Sequence, residues 1–238
     1  MGGSTIREMG RSELNWWWKI GVPVVAPLTR LWFKVQVEGL RNVPASGGAI
    51  LAFNHASVLD GPVLAGEIAA RARRELCFLV ASEISNHPIF GPIMRAFDQI
   101  FIRRGTGDSE ALDQAIQRVC DGALAALAPE GRVGADDATG AGTGELQRIR
   151  SGVARIALPA LAPIIPVGIW GTRARWPSSG LIRERFFHRT PLAIVIGPAI
   201  HPHPTGDNPA DIAALREQVR AALTVQVARA RALAGEPE

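Results

Sequence analysis

The sequence predicts a single α/β domain, with a central mostly parallel or mixed sheet flanked by helices and preceded by an N-terminal interfacial helical segment. Three observations carry this. Short apolar runs alternate along the chain with stretches of helical length and periodicity. No internal repeat interrupts that alternation, which is the pattern of a sheet covered by helices on both faces. At 238 residues and 47% hydrophobic content, the chain can bury one large core and is too short for three domains.

The elements follow in order. Residues 1–32 stand apart, holding four of the six tryptophans (Trp16, Trp17, Trp18, Trp32) beside Lys19 and Arg30. Indole favours the headgroup layer and cations meet anionic lipid, so this reads as a membrane-interfacial segment. The alternative is that these rings pack on the domain's own core. Lys19, Pro23 and Pro27 break the apolar run well short of the ~20 residues a span requires.

Phe33–Glu38 alternates apolar and polar, a half-buried strand, and Ala49–Phe53 is a short buried one. Residues 61–70 read as a helix with Pro62 in its first turn. Leu76–Ala81 is a strand, Pro88–Phe97 a helix, Gln99–Ile102 a strand, and Ser109–Gly122 a helix. Ala123–Ala128 enters a strand ending at Pro129. Residues 133–144 form a Gly/Ala-rich loop, the segment expected to move. A helix over 151–161 leads into the strand Ile164–Trp170. Leu192–Ile196 is a further strand. Ile212, Leu215, Val219, Leu223 and Val227 lie on one face of a last helix over 208–232.

Composition narrows the function. The net charge is +4 (26 Lys+Arg against 22 Asp+Glu), and residues 1–41 hold six basic and three acidic side chains, 6 − 3 = +3. No dense basic stripe exists elsewhere, which argues against nucleic acid and for a membrane surface bearing anionic phospholipid. Glu8 and Glu13 precede the apolar run and disfavour a signal peptide, so a peripheral position on the cytoplasmic face of the membrane is expected. Cys77 and Cys120 are too few for a disulfide framework, and both read as inert core.

Four short motifs carry chemistry. His55 follows a strand directly in Asn54-His55-Ala-Ser-Val-Leu-Asp60, well placed for general-base work. Asp60 can orient its ring if the segment folds back as a turn; otherwise Asp60 is a helix N-cap. Arg103-Arg104 ends the strand Ile100–Ile102, where one guanidinium can enter a pocket and grip phosphate while the other stays in solvent. In Pro129-Glu130-Gly131-Arg132 a carboxylate, a flexible backbone and a cation adjoin at another strand end. Pro166, inside an apolar strand, argues for an edge or a special bend. His201 and His203 lack a third metal ligand. Arg173, Arg175, Arg183, Arg185 and Arg189 form a basic cluster that either meets CoA phosphates or lipid, or is a solvated face.

In order and spacing, these four motifs over residues 33–200 resemble those of the glycerolipid acyltransferases, the lysophosphatidic acid acyltransferases. The resemblance makes 33–238 an acyltransferase domain. It implies transfer of a fatty acyl group from acyl-CoA (or acyl carrier protein) to the free hydroxyl of lysophosphatidic acid in phospholipid synthesis. His55 would be the base, Asp60 its orienting partner, Arg104 the phosphate ligand, Glu130, Gly131 and Arg132 the rest of the acceptor site, and Pro166 a residue shaping the site. Arg148, Arg150 and Gly152 look like the basic stretch the family often places after its third motif. Thioester chemistry with one base needs no metal, cofactor or covalent intermediate. Two departures stand out: Asp98 replaces the family's usual Gly before the second-motif strand, and Arg132 follows Gly131 directly. The alternatives are another acceptor (glycerol 3-phosphate, another lysophospholipid or a glycolipid) or a catalytically silent membrane-binding module.

Overall fold

A computed structural model of the chain describes residues 15–131, 146, 148–176, 188–203 and 208–235. The expected loop at 133–144 and the residues Arg132, Arg183 and Arg185 lie outside them. Seven strands form one sheet: β1 (Phe33–Glu38), β2 (Ala49–Phe53), β3 (Leu76–Ala81), β4 (Ile100–Ile102), β5 (Leu124–Leu127), β6 (Ile164–Trp170) and β7 (Thr190–Ile196). Their spatial order is β1-β7-β6-β2-β5-β3-β4. β6, β2, β5, β3 and β4 run parallel, while β7 is antiparallel to β6 and carries β1 parallel to itself. The sheet is therefore mixed, and the five parallel strands end on one common edge. That edge positions the site.

The pleat of β2 shows why both faces are covered. Leu51 and Phe53 point into one apolar layer with Val63, Leu64 and Ile68. Ile50 and Ala52 point into the other, with Ala115, Val119, Val153, Ile156 and Leu223. Helices α1 (Trp16–Trp32) and α2 (Asp60–Leu64) cover the first face, α2 continuing through a π-helical segment (Ala65–Ala69) into α3 (Ala70–Ala72). Helices α5 (Ser109–Cys120), α6 (Gly152–Ala160) and α7 (Pro209–Leu233) cover the second. Helix α4 (Phe90–Ala96) connects β3 to β4.

Helix α1 divides its tryptophans between core and surface. Trp18 is buried and meets Phe97 edge-on at 5.2 Å, whereas Trp16 and Trp17 are exposed. Ile20, Val24, Leu28 and Leu31 continue the exposed apolar stripe at helical spacing. The opposite side of the helix is tied down. A Cβ on Gly66 would stand 3.2 Å from the backbone of Ala26, a tight contact that glycine avoids at this close crossing. The buried Glu67 carboxylate accepts from Arg30 of α1 at 3.1 Å and also pairs with Arg71. No described helix is long and apolar enough to cross a membrane.

Two sequence expectations need correction, and one open alternative is decided. Of the edge and the special bend that the sequence allows, Pro166 takes the bend: β6 lies between β2 and β7. Its ladder with β7 starts at Val167↔Ile196, and the next bridge is Ile164↔Ile200, so three steps on β6 face four on the other strand. The extra residue is a bulge, and Pro166 sits beside it, where a missing N–H breaks no ladder. Cys120 is exposed, not core, because the buried face of α5 runs Ala111, Ala115, Val119 and the next residue turns ~100° away. Arg175 is wholly buried, stacked on Trp32 and Phe33 and donating to the carbonyls of Trp32 and His188. Arg189 donates to the Phe33 carbonyl at 3.0 Å. These two arginines fasten the α1–β1 junction; Arg175 is no part of a solvated basic face, whereas Arg189 stays exposed.

Asp98 explains its own departure. Its φ is +57°, the left-handed conformation that glycine adopts freely and that Asp tolerates better than most residues. Its carboxylate pairs with Arg118 through two bonds, at 2.5 and 2.8 Å.

Candidate active site

The site is built where β2, β5 and β6 end. Beyond β2, Asn54 is buried and its side-chain amide bonds both backbone groups of Ile169 in β6, at 2.7 and 3.0 Å. That double bond locks the exit of β2 to its neighbour and fixes where His55 begins. The chain then folds back as a turn, Asp60 N–H donating to the Ser57 carbonyl at 3.2 Å. The turn brings His55 Nδ1 to 3.0 Å from Asp60 Oδ2. Asp60 is the first residue of α2, not its cap, and its carboxylate reaches backward to the loop.

Asp60 has no exposure, and four groups satisfy it. Oδ2 accepts from the backbone N–H of Ala56 at 2.8 Å and of Ser57 at 2.9 Å, besides His55. Oδ1 accepts from the Thr172 hydroxyl at 2.6 Å. A carboxylate only accepts, so in this arrangement Nδ1 of His55 donates and Nε2 is left as the acceptor. The ring keeps 19% exposure, and no described residue bonds its Nε2. Phe53 meets the imidazole edge-on at 6.0 Å and Phe78 at 6.2 Å, an apolar wall leading away from the ring.

Beyond β5, Glu130 is buried and its Oε1 accepts from the His55 backbone N–H at 2.9 Å. Glu130 thus holds the main chain of His55 from one side while Asp60 holds its ring from the other. Gly131 has φ +74°, and a Cβ there would meet Arg150 Nε at 2.9 Å. The Arg150 N–H donates to the Pro129 carbonyl at 2.7 Å, and its Nη1 lies 3.9 Å from the Cβ position of Gly105. The Arg150 guanidinium therefore lies against the turns that follow β4 and β5.

The two adjacent arginines are both exposed and differ in partner. Arg103 is engaged by Asp108, which accepts from its backbone N–H at 2.9 Å and from its guanidinium at 3.1 and 3.2 Å. These bonds hold the Asp108 carboxyl down at about 2. Arg104 is exposed, without such a partner among the described residues. β4 is three strands from β2, about 14 Å at the usual strand spacing.

Pro166 is not brought to this cluster. It pairs with Ala52, three residues before His55, about 10 Å along the strand. Two residues that matter escaped the sequence reading: Asn54, quoted in a motif without a role, and Thr172. Thr172 follows an apolar strand as one hydroxyl among many, and nothing in its spacing points to a carboxylate 112 positions earlier.

Comparison with known proteins gives a family and a fold. A family model described as Acyltransferase matches residues 34–170. An uncharacterised protein of Mycobacterium leprae is 31% identical over 192 residues, 74% of this chain and 50% of its own length. An N-acylphosphatidylethanolamine synthase of Arabidopsis thaliana is 33% identical over 141 residues, 54% of this chain and 44% of its own. The chain spans about half the length of the curated relatives it matches. Among solved structures, the 1-acyl-sn-glycerophosphate (LPA) acyltransferase PlsC from Thermotoga maritima superposes with a TM-score of 0.67 at 23% identity. That match covers 89% of this chain and 80% of PlsC.

Proposed function

Because the chain belongs to the acyltransferase family, we propose that it moves a fatty acyl group from acyl-CoA, or acyl carrier protein, to the free hydroxyl of lysophosphatidic acid at a membrane surface. One observation carries the reading: a histidine at a strand end has Nδ1 bound to a buried, fully satisfied carboxylate, and its Nε2 is open. His55 Nε2 takes the proton of the acceptor hydroxyl as its oxygen attacks the thioester carbonyl. The tetrahedral oxyanion collapses, the C–S bond breaks, and the leaving thiolate receives the proton from the imidazolium. A thiolate leaves readily, so one base serves both halves and no cofactor is required. Asp60 holds the ring and stabilises its positive charge in the transition state.

Arg104 and Arg150 supply cations for the acceptor phosphate at the exits of β4 and β5, and Arg132, outside the described residues, is assigned to the same phosphate from its motif alone. Gly131 lets the Arg150 guanidinium lie close, and Glu130 acts as a positioning residue through the His55 main chain. Pro166 acts structurally, through its bulge. The exposed stripe of α1 (Trp16, Trp17, Ile20, Val24, Leu28 and Leu31), flanked by Lys19 and Arg30, rests in the interface of a bilayer bearing anionic phospholipid, on its cytoplasmic face.

The test is free-thiol release from acyl-CoA against a panel of acceptors: lysophosphatidic acid, glycerol 3-phosphate, monoacylglycerol and phosphatidylethanolamine. Phosphatidylethanolamine is included because the plant relative's name refers to an N-acylated form of it. The proposal expects release with lysophosphatidic acid, and a raised KM for it on Arg104→Ala. Equal rates with monoacylglycerol would remove the phosphate from the account.

A further inference from the structure

We infer that Thr172 is a positioning residue for acyl transfer: its hydroxyl selects which oxygen of Asp60 faces His55. The inference rests on the function proposed above for His55 and concerns a residue outside the motifs. At the exit of β6, Gly171 has φ +109°, and a Cβ there would stand 2.1 Å from the Pro191 carbonyl oxygen. Only glycine makes this turn, and the turn delivers Thr172 into the interior with no exposure. There its Oγ1 donates to Asp60 Oδ1 at 2.6 Å.

The distribution of donors on Asp60 is lopsided. Three of the four fall on Oδ2, and Thr172 alone serves Oδ1. Without that hydroxyl, Oδ1 is a buried carboxylate oxygen with no donor, and the group gains by rotating to share the N–H groups of Ala56 and Ser57 between its two oxygens. Such a rotation moves Oδ2 off Nδ1 of His55 and releases the ring. The same loop fixes the turn a second time, because the Ser57 hydroxyl donates to the Trp176 carbonyl at 2.6 Å. His55 is thus held from β5 by Glu130 and, through Asp60, from β6 by Thr172.

Thr172→Val keeps the shape and removes the donor, whereas Thr172→Ser keeps the donor. The valine variant should lose roughly 10- to 100-fold in kcat, the range expected for a hydrogen bond to a charged group, with KM for both substrates within about twofold of wild type. Thr172→Ser should return kcat to within about threefold of wild type. A readout independent of turnover is the His55 Nδ1–H proton in protein labelled with [15N]histidine, identified by its absence in His55→Gln. It should be sharp and slow to exchange in wild type and Thr172→Ser, and broadened or lost in Thr172→Val. Should the valine variant fail to fold, Thr172→Cys, which offers only a weak donor, takes its place with the same expected ordering. A valine variant with wild-type kcat and an unchanged Nδ1–H signal, or a serine variant as impaired as valine, overturns the inference. Absence of acyl transfer by wild-type protein would defeat the proposed function, while the proton signal would still decide the role of Thr172.

Discussion

Replacing Asp60 by Asn separates the charge of this carboxylate from its geometry. The N–H groups of Ala56 and Ser57, at 2.8 and 2.9 Å, face Oδ2 and cannot turn. They hold the amide oxygen of the variant in that position, where His55 Nδ1–H still finds an acceptor. The amide nitrogen then faces the Thr172 hydroxyl, which rotates to accept from it. The two backbone N–H groups and His55 Nδ1–H stay partnered, and only the Thr172 hydroxyl proton and one amide N–H lose an acceptor, so the fold should survive. What disappears is the negative charge 3.0 Å from the ring. Two unit charges about 4 Å apart interact by about 4 kcal/mol at an effective dielectric constant near 20. The difference between a charge-assisted and a neutral hydrogen bond is about 1–2 kcal/mol. Those bounds place the fall in kcat between roughly 10- and 1,000-fold. Asp60→Ala is a different experiment. It strands two N–H groups and a hydroxyl in a site with no exposure, at about 1–3 kcal/mol each. That sum approaches the ~5–15 kcal/mol that holds a domain together. Thiol release gives kcat, and urea unfolding of the same preparations gives stability. Wild-type kcat in Asp60→Asn, or destabilisation equal to that of Asp60→Ala, would refute the reasoning.

Three further outcomes follow from the structure. Asp98→Gly relieves a left-handed backbone and loses a largely exposed ion pair, so its urea midpoint should match wild type within about 1 kcal/mol; Asp98→Ala keeps the strain and loses the pair, and should fall about 1–2 kcal/mol below. Burial pushes the Cys77 thiol up to about 11, so at pH 8 it stays protonated; a thiol reagent should modify Cys120 in the native protein and Cys77 only after unfolding, counted by mass. Trp16→Ala combined with Trp17→Ala should weaken sedimentation with anionic vesicles at least tenfold without changing the unfolding midpoint, since both rings are exposed.

The fold was legible because period and composition changed together along the chain. β2 is a wholly buried apolar run, and α7 repeats its apolar positions on one face, so both declare themselves. The His55–Asp60 contact was legible only conditionally: an offset of five residues fits a turn or a helix, and the backbone N–H groups that select the turn carry no sequence signal. Pro166 was legible only as two alternatives, because a proline signals a broken ladder without saying whether an edge or a bulge breaks it. Arg175 looked like surface charge, since sequence does not reveal two aromatic rings and two carbonyls waiting in the interior. Thr172 was illegible because its partner is remote in sequence and adjacent only through the order of strands.

The central claim is that His55, held by Asp60, activates the hydroxyl of a phosphorylated lysolipid. The most direct measurement is the transfer of a radiolabelled acyl group from acyl-CoA to lysophosphatidic acid by wild type and by folded His55→Ala, with the lipid product separated and counted. The account predicts labelled phosphatidic acid from wild type and a loss of at least a hundredfold in the variant. Label appearing at the same rate with His55→Ala, or none entering phosphatidic acid from wild type, would contradict it.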